Sequence, residues 1–295
     1  MANNQCSKIT CCWYGRCNTI NTKEGLPMED FNYLIDKIYS ADFTEHPFKF
    51  IYVEDFFTQD HFTRITNCKQ IKVPEFKSTE EMCNRLTNEF KYKPQPFPGC
   101  TTSVKSYIEW YNNKDVGKGV ANQDLLEGYG VAFRLKYYED KILEELVDFF
   151  NSKAWHKCIK KKFKKTGETG VDTAIQKYVS GYEISPHPDI RRKCATYMIN
   201  INTDSEAEEL GLHTHFMDFA DNRKWIFEEW RTNTTKDTCW VPWDWANTSF
   251  EHSKNNSITM FAPDYNTLHA VKLDYDHTKL QRTQVYGNLW YKGDS

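Results

Sequence analysis

From Val171 onward the chain falls into short runs rich in Thr, Tyr, Ile and Val, separated by Gly, Asn, Asp and Pro. Strands joined by tight turns leave that texture and helices do not, because β-branched and aromatic side chains suit a pleated surface. Runs at 174–184, 195–202, 212–219, 257–261, 268–273 and 281–290 read as strands. So many strands must pair with one another to satisfy their backbone groups, so the C-terminal part is expected to be mainly β.

The upstream half reads differently. Residues 28–39 have helical spacing, 48–53 read as a strand running into 55–64, and Pro94, Pro96 and Pro98 with Gly99 mark a break. Helices are expected at 103–111 and 137–150. In the second, Ile142, Leu143, Leu146, Phe149 and Phe150 recur at steps of three and four and mark a core-facing stripe. The basic run 157–165 reads as a solvated helix end, its lysines near the negative end of the dipole.

Within the β half, Ile184-Ser185-Pro186-His187-Pro188-Asp189 is answered far downstream by Leu268-His269-Ala270-Val271 and then Gln281-Arg282-Thr283-Gln284. Side chains two apart on a strand share a face, so His187 and Asp189 can address one metal ion. A second strand carrying His269 alongside would complete two His and one carboxylate, a set that suits Fe(II) and leaves coordination positions open. Arg282 offers a permanently charged, two-pronged donor for a carboxylate. A competing metal pair is His213-Thr214-His215, with Asp218 nearby, although no downstream Arg or Lys completes it.

At these residues the chain resembles the iron(II)/2-oxoglutarate-dependent oxygenases, in the prolyl-hydroxylase-like branch. His187 and Asp189, the strand Ala195-Thr196-Tyr197-Met198-Ile199-Asn200-Ile201-Asn202, His269 and Arg282 follow the order of that family's motifs over roughly the last 120 residues. The resemblance implies a distorted double-stranded β-helix, or jelly roll, with supporting N-terminal helices. It also implies Fe(II) held by His187, Asp189 and His269, 2-oxoglutarate as cosubstrate gripped by Arg282, and O2 as oxidant. Asn200 stands where several relatives carry a cosubstrate-contacting Tyr. Tyr178 and Tyr182 are other phenol donors for the same role. Gln284 departs from a Ser found in some relatives. The implied reaction is oxidation of an unactivated C–H bond, as hydroxylation or ring closure, with release of succinate and CO2.

The remaining expectations concern organisation and partners. With 295 residues the chain is expected to be a single oxygenase domain: a tail over 1–20, helices and outer strands over 21–170, and a catalytic core over 171–295. An insertion at about 203–256 carries Trp225, Trp230, Trp240, Trp243 and Trp245, as a packed lid or a pocket wall. Because extra length goes to that cover, a small amino-acid-derived substrate is expected, and kainoid synthases, which close a ring on a prenylated glutamate, fit the size. The alternatives are a peptidyl (prolyl-type) hydroxylase and a catalytically silent jelly-roll binding protein. A net charge of -3 argues against nucleic acid as a partner. There is no run of 18 apolar residues and no basic-then-apolar leader, so a soluble, cytoplasmic protein with no membrane contact is expected. Four of the ten cysteines, Cys6, Cys11, Cys12 and Cys17, crowd the first seventeen residues without zinc-ligand spacing, and read as free thiols on a mobile tail.

Overall fold

The computed structural model describes residues 30–96, 101–113, 130–236 and 238–292; the expectations for the N-terminal cysteines and for the start of the 28–39 helix lie outside them. The helices are α1 (Tyr33–Ser40), α2 (Gln59–Asn67), α3 (Thr79–Asn88), α4 (Val104–Asn112), α5 (Lys141–Phe150), α6 (Lys153–Lys162) and α7 (Trp225–Thr232). The strands are β1 (Phe43–Thr44), β2 (Phe50–Val53), β3 (Tyr92–Gln95), β4 (Ala132–Leu135), β5 (Thr169–Tyr178), β6 (Glu183–His187), β7 (Lys193–Asn200), β8 (Thr214–Phe219), β9 (Ala246–His252), β10 (Ser257–Phe261), β11 (His269–Lys272) and β12 (Arg282–Tyr291). They form an antiparallel eight-stranded sheet, ordered β1-β2-β10-β7-β12-β5-β4-β3, and an antiparallel four-stranded sheet, ordered β6-β11-β8-β9.

Period two decides which side chains meet which layer. On β7 and β12, Ala195, Tyr197, Ile199, Val285 and Leu289 belong to the helix-side core with Leu34, Ile38, Leu143, Leu146 and Trp155. The alternate residues Thr196, Met198, Arg282, Gln284 and Asn288 point the other way, into the space between the two sheets, and are also buried. Both faces of β7 are therefore covered, which is why it reads as an unbroken run rather than an alternating one. The sheets are held together at one end by Phe48, Phe50, Met198, Phe216 and Phe261, with Phe216 4.9 Å from both Phe48 and Phe50 by ring centroids. Each apolar side chain buried in this way contributes about 1.5–3 kcal/mol.

Local chemistry accounts for the helices. Ser78 caps α3 by accepting from the Glu81 amide at 3.1 Å, while Glu81 reaches back to accept from the Lys77 amide at 2.9 Å. Thr58 caps α2 in the same way, accepting from the His61 amide at 3.2 Å. The α5 stripe holds, except that Val147 is buried where Phe149 is only partly covered, because Phe149 turns toward Trp155 and Phe31. The triple lysine lies in the last turn of α6, but only Lys161 is exposed; Lys160 donates to the Gly167 carbonyl and Lys162 to the carbonyls of Tyr39 and Ala41, so the run is partly packed rather than solvated throughout.

Three expected boundaries shift. The proline break begins inside a strand: Pro94 sits in β3, at the edge of the large sheet, where a missing N–H costs no ladder bond. The run 174–184 is two strands divided at residues 179–182, where Gly181 adopts φ +86°. Residues 203–256 supply β8 and β9, half of the smaller sheet; the stretch between them, with α7, and the short segments 203–213 and 253–256 lie outside it.

Candidate metal centre and adjoining cavity

β6 and β11 are neighbours in the small sheet, and their register sets His187 directly opposite His269, with the two rings 4.4 Å apart. Asp189 lies two residues on but past the end of β6, in the turn toward β7, so a strand period alone does not place it. Instead it is fixed from β7: Thr196 Oγ1 donates to one carboxylate oxygen at 2.5 Å, and Lys193 Nζ donates to the other at 2.6 Å. His269 Nε2 stands 3.8 Å from that second oxygen. One ligand atom from each of His187, Asp189 and His269 falls within 4.8 Å of the others.

The orientation of both imidazoles is set by their own strands. His187 Nδ1 donates to the Ser185 carbonyl at 2.7 Å, and His269 Nδ1 donates to the Thr267 carbonyl at 2.9 Å. A carbonyl only accepts, so both protons sit on Nδ1 and both Nε2 lone pairs are left for a metal, the usual arrangement of a ligating histidine. Burial drives the His187 imidazole down to about 3, and the neighbouring His269 adds to the effect. His269 is lowered too, again chiefly by burial. Burial alone would raise the Asp189 carboxyl, but Lys193 and the two imidazoles outweigh it and hold it well below the usual range. At neutral pH the three groups are thus two neutral imidazoles and a carboxylate, the protonation states that metal binding requires.

The same side chains open onto a cavity of about 200 Å³ between the sheets, whose walls include Arg282, Tyr178, Tyr182, Gln176 and Trp240. Arg282 is 1% exposed and carries its charge into this space without a carboxylate partner among the described residues. Nη2 donates to Thr214 Oγ1 at 2.8 Å, Nε has no partner, and the guanidinium lies 5.2 Å from the centre of the Tyr178 ring. An uncompensated buried cation costs several kcal/mol, so a site of this kind favours an anion. Gln176 points the same way, with Nε2 unpartnered and Oε1 accepting from the Tyr178 hydroxyl at 2.7 Å.

The structure therefore brings together His187, Asp189, His269, Arg282, Tyr178 and Tyr182 in one cavity. Asn200 is not brought to it. Its amide donates to the carbonyls of His252 and Lys254 at 3.3 and 3.0 Å, and its oxygen accepts from Gln284 at 2.7 Å, so it ties β7 to the loop before β10. Gln284 lines the cavity, whereas the Thr283 hydroxyl is on the other face, accepting from Lys177 Nζ at 2.9 Å. Lys193, Thr196, Gln176 and Thr214 escaped sequence reasoning. Gln176 had a signal, standing two residues before Tyr178 on one strand face. Lys193 had none, because its reach from the start of β7 back to Asp189 depends on how the turn between them folds. Of the five tryptophans, Trp240 reaches the cavity, Trp230 is buried, Trp243 and Trp245 pack against Met217 and Ala270, and Trp225 is exposed. His213 and His215 lie outside the cavity, and their acidic neighbour is Glu251, not Asp218.

The structure is similar to a Pseudomonas putida prolyl-4-hydroxylase, with a TM-score of 0.45 and 10% identity over 88% of this chain and 98% of that one. It is also similar to a Trichoplax adhaerens prolyl hydroxylase solved with a hypoxia inducible factor oxygen degradation domain peptide fragment, with a TM-score of 0.40 and 10% identity over 88% of this chain and 87% of that one. No family model and no curated protein matches the sequence.

Proposed function

We propose that the protein is an Fe(II)/2-oxoglutarate-dependent oxygenase, built as a distorted double-stranded β-helix in a single domain over 1–295, that oxidises a C–H bond of a small amino-acid-derived substrate. One observation carries the reading: a His, Asp, His set with both Nε2 lone pairs free shares a cavity with a buried arginine that lacks an acidic partner among the described residues. When bound, the iron, 2-oxoglutarate and O2 supply the oxidising power, with succinate and CO2 as co-products. His187, Asp189 and His269 would hold the ion, and carboxylate plus two imidazoles is the donor set that suits Fe(II). Arg282 binds the distal carboxylate of the cosubstrate, with Thr214 fixing one arm of its fork and Tyr178 lying beside it. Gln176 and Tyr182 orient the same molecule. Thr196 holds the Asp189 carboxylate so that its remaining lone pairs face the imidazoles. Trp240 forms part of the cavity wall, and the volume of about 200 Å³ is in keeping with a small substrate.

Anaerobic titration of metal-free protein with Fe(II) and 2-oxoglutarate tests the site. A weak visible charge-transfer band that needs both additions is expected, absent in His187→Ala and His269→Ala and weakened in Arg282→Ala. A band unchanged in all three variants refutes the site. Succinate release on adding free amino-acid derivatives supports the substrate class; release only with a prolyl peptide replaces it with a peptide.

A further inference from the structure

A second group of metal-type donors stands away from the cavity. His213, His215 and Glu251 place one ligand atom each within 4.8 Å of the others. His213 Nε2 is 3.5 Å from Glu251 Oε1, His215 Nδ1 is 3.9 Å from the same oxygen, and the two rings are 4.5 Å apart. Donors about 2.0–2.1 Å from a tetrahedral ion lie about 3.3 Å from each other, so small side-chain rotations complete the site.

Its position follows from strand geometry. His215 is paired directly with Glu251 across β8 and β9, so both project from one face of the small sheet. The neighbours Phe216 and Phe250 project from the opposite face into the core between the sheets. His213, two residues before His215, shares its face, where the His215 ring meets the edge of Trp243 at 5.4 Å. Thr214 lies between the two histidines, points inward, and accepts from Arg282. The histidines are one-sixth exposed and Glu251 about half, so an ion has an entry path from solvent. Burial holds both imidazoles below their ordinary value, His215 at about 4, so both are neutral at physiological pH.

We propose that His213, His215 and Glu251 form a second divalent-metal site, of the zinc class, which pins β8 to β9 and thereby steadies Thr214 against Arg282. A two-imidazole, one-carboxylate set with a fourth position open to water suits Zn²⁺, and its role here is structural, since His215 and Glu251 are cross-strand partners that one ion would tie together. The metal site itself does not depend on the oxygenase reading; only its effect on Arg282 does.

Equilibrium dialysis of metal-free protein against Zn²⁺, followed by gel filtration, tests it. Two retained equivalents are expected in the wild type, one in Glu251→Gln, one in His213→Asn/His215→Asn, and one in His187→Ala. Co²⁺ in place of Zn²⁺ in the His187→Ala protein should give visible ligand-field bands that vanish on adding Glu251→Gln, a conservative change on an edge strand that leaves the fold intact. Retained metal, whether one or two equivalents, that is indifferent to His213, His215 and Glu251 overturns the proposal. If metal is lost in Glu251→Gln but not in His187→Ala, the oxygenase reading fails while this site stands.

Discussion

Replacing Arg282 with Met keeps an unbranched apolar stem and removes a charge that the fold has buried without a counter-ion among the described residues. In the ligand-free protein the effective penalty for such an ion is several kcal/mol. Against its removal stand one hydrogen bond to Thr214, about 1 kcal/mol, and a guanidinium–ring contact with Tyr178, about 0.5–1 kcal/mol. Arg282→Met is therefore expected to be more stable than the wild type by about 1–3 kcal/mol when no cosubstrate is present. With iron present anaerobically and 2-oxoglutarate at a hundred times its Kd, the wild type gains about 2.7 kcal/mol and the variant gains nothing, which cancels or reverses the ranking. Urea unfolding of both proteins, with and without 2-oxoglutarate, measures all four values. A variant destabilised by more than about 2 kcal/mol without ligand would show that Arg282 is a structural residue, and equal stabilisation of both by 2-oxoglutarate would show that the anion binds elsewhere.

Lys193 presents the opposite case, because its charge is paired: Lys193→Met strands the buried Asp189 carboxylate and should cost the metal-free protein about 3–5 kcal/mol. Mn²⁺ or Fe(II) should restore more stability to this variant than to the wild type in thermal unfolding, and an equal metal response would refute competition between the ammonium and the ion for one oxygen. Acid lability should track the imidazole of His252, fully buried, held between Ser257 and Thr259, and driven down to about 3 by burial and by Arg282. The unfolded chain takes up this proton near 6.5 and the folded one does not, so stability is present above about pH 6.5 and declines toward pH 3, by up to about 1.4 kcal/mol per pH unit. Urea midpoints of metal-free protein between pH 7.5 and 4.5 should fall, and His252→Gln should flatten the fall; an unchanged slope in the variant assigns the lability to other groups.

The legible parts of the fold were those where one periodicity governs one element. The α5 stripe, the run of β10 and the core positions of β12 are visible because a helix or strand covered by the core writes its own period. β9 escaped notice since its residues 247–249 and Glu251 are exposed, and an edge strand needs few apolar side chains. The helices α2 and α3 announce themselves mainly by the caps Thr58 and Ser78, whose signal is short and easily overlooked.

The sequence by itself offered His187 and Asp189 as candidate donors, a distant His269, the charged fork of Arg282, and the β character of the chain that carries them, because these are matters of residue type and order along the chain. Only the tertiary structure decided that Asp189, in the turn after β6, is held from β7 by Thr196 and Lys193, that Asn200 is spent on backbone carbonyls, and that Arg282 has no acidic partner among the described residues. The tertiary structure alone also set Glu251 beside His213 and His215. Each of these depends on which strands become neighbours and in what register. That is fixed by closing long loops and filling a shared core, and side-chain spacing along a single strand carries no record of it.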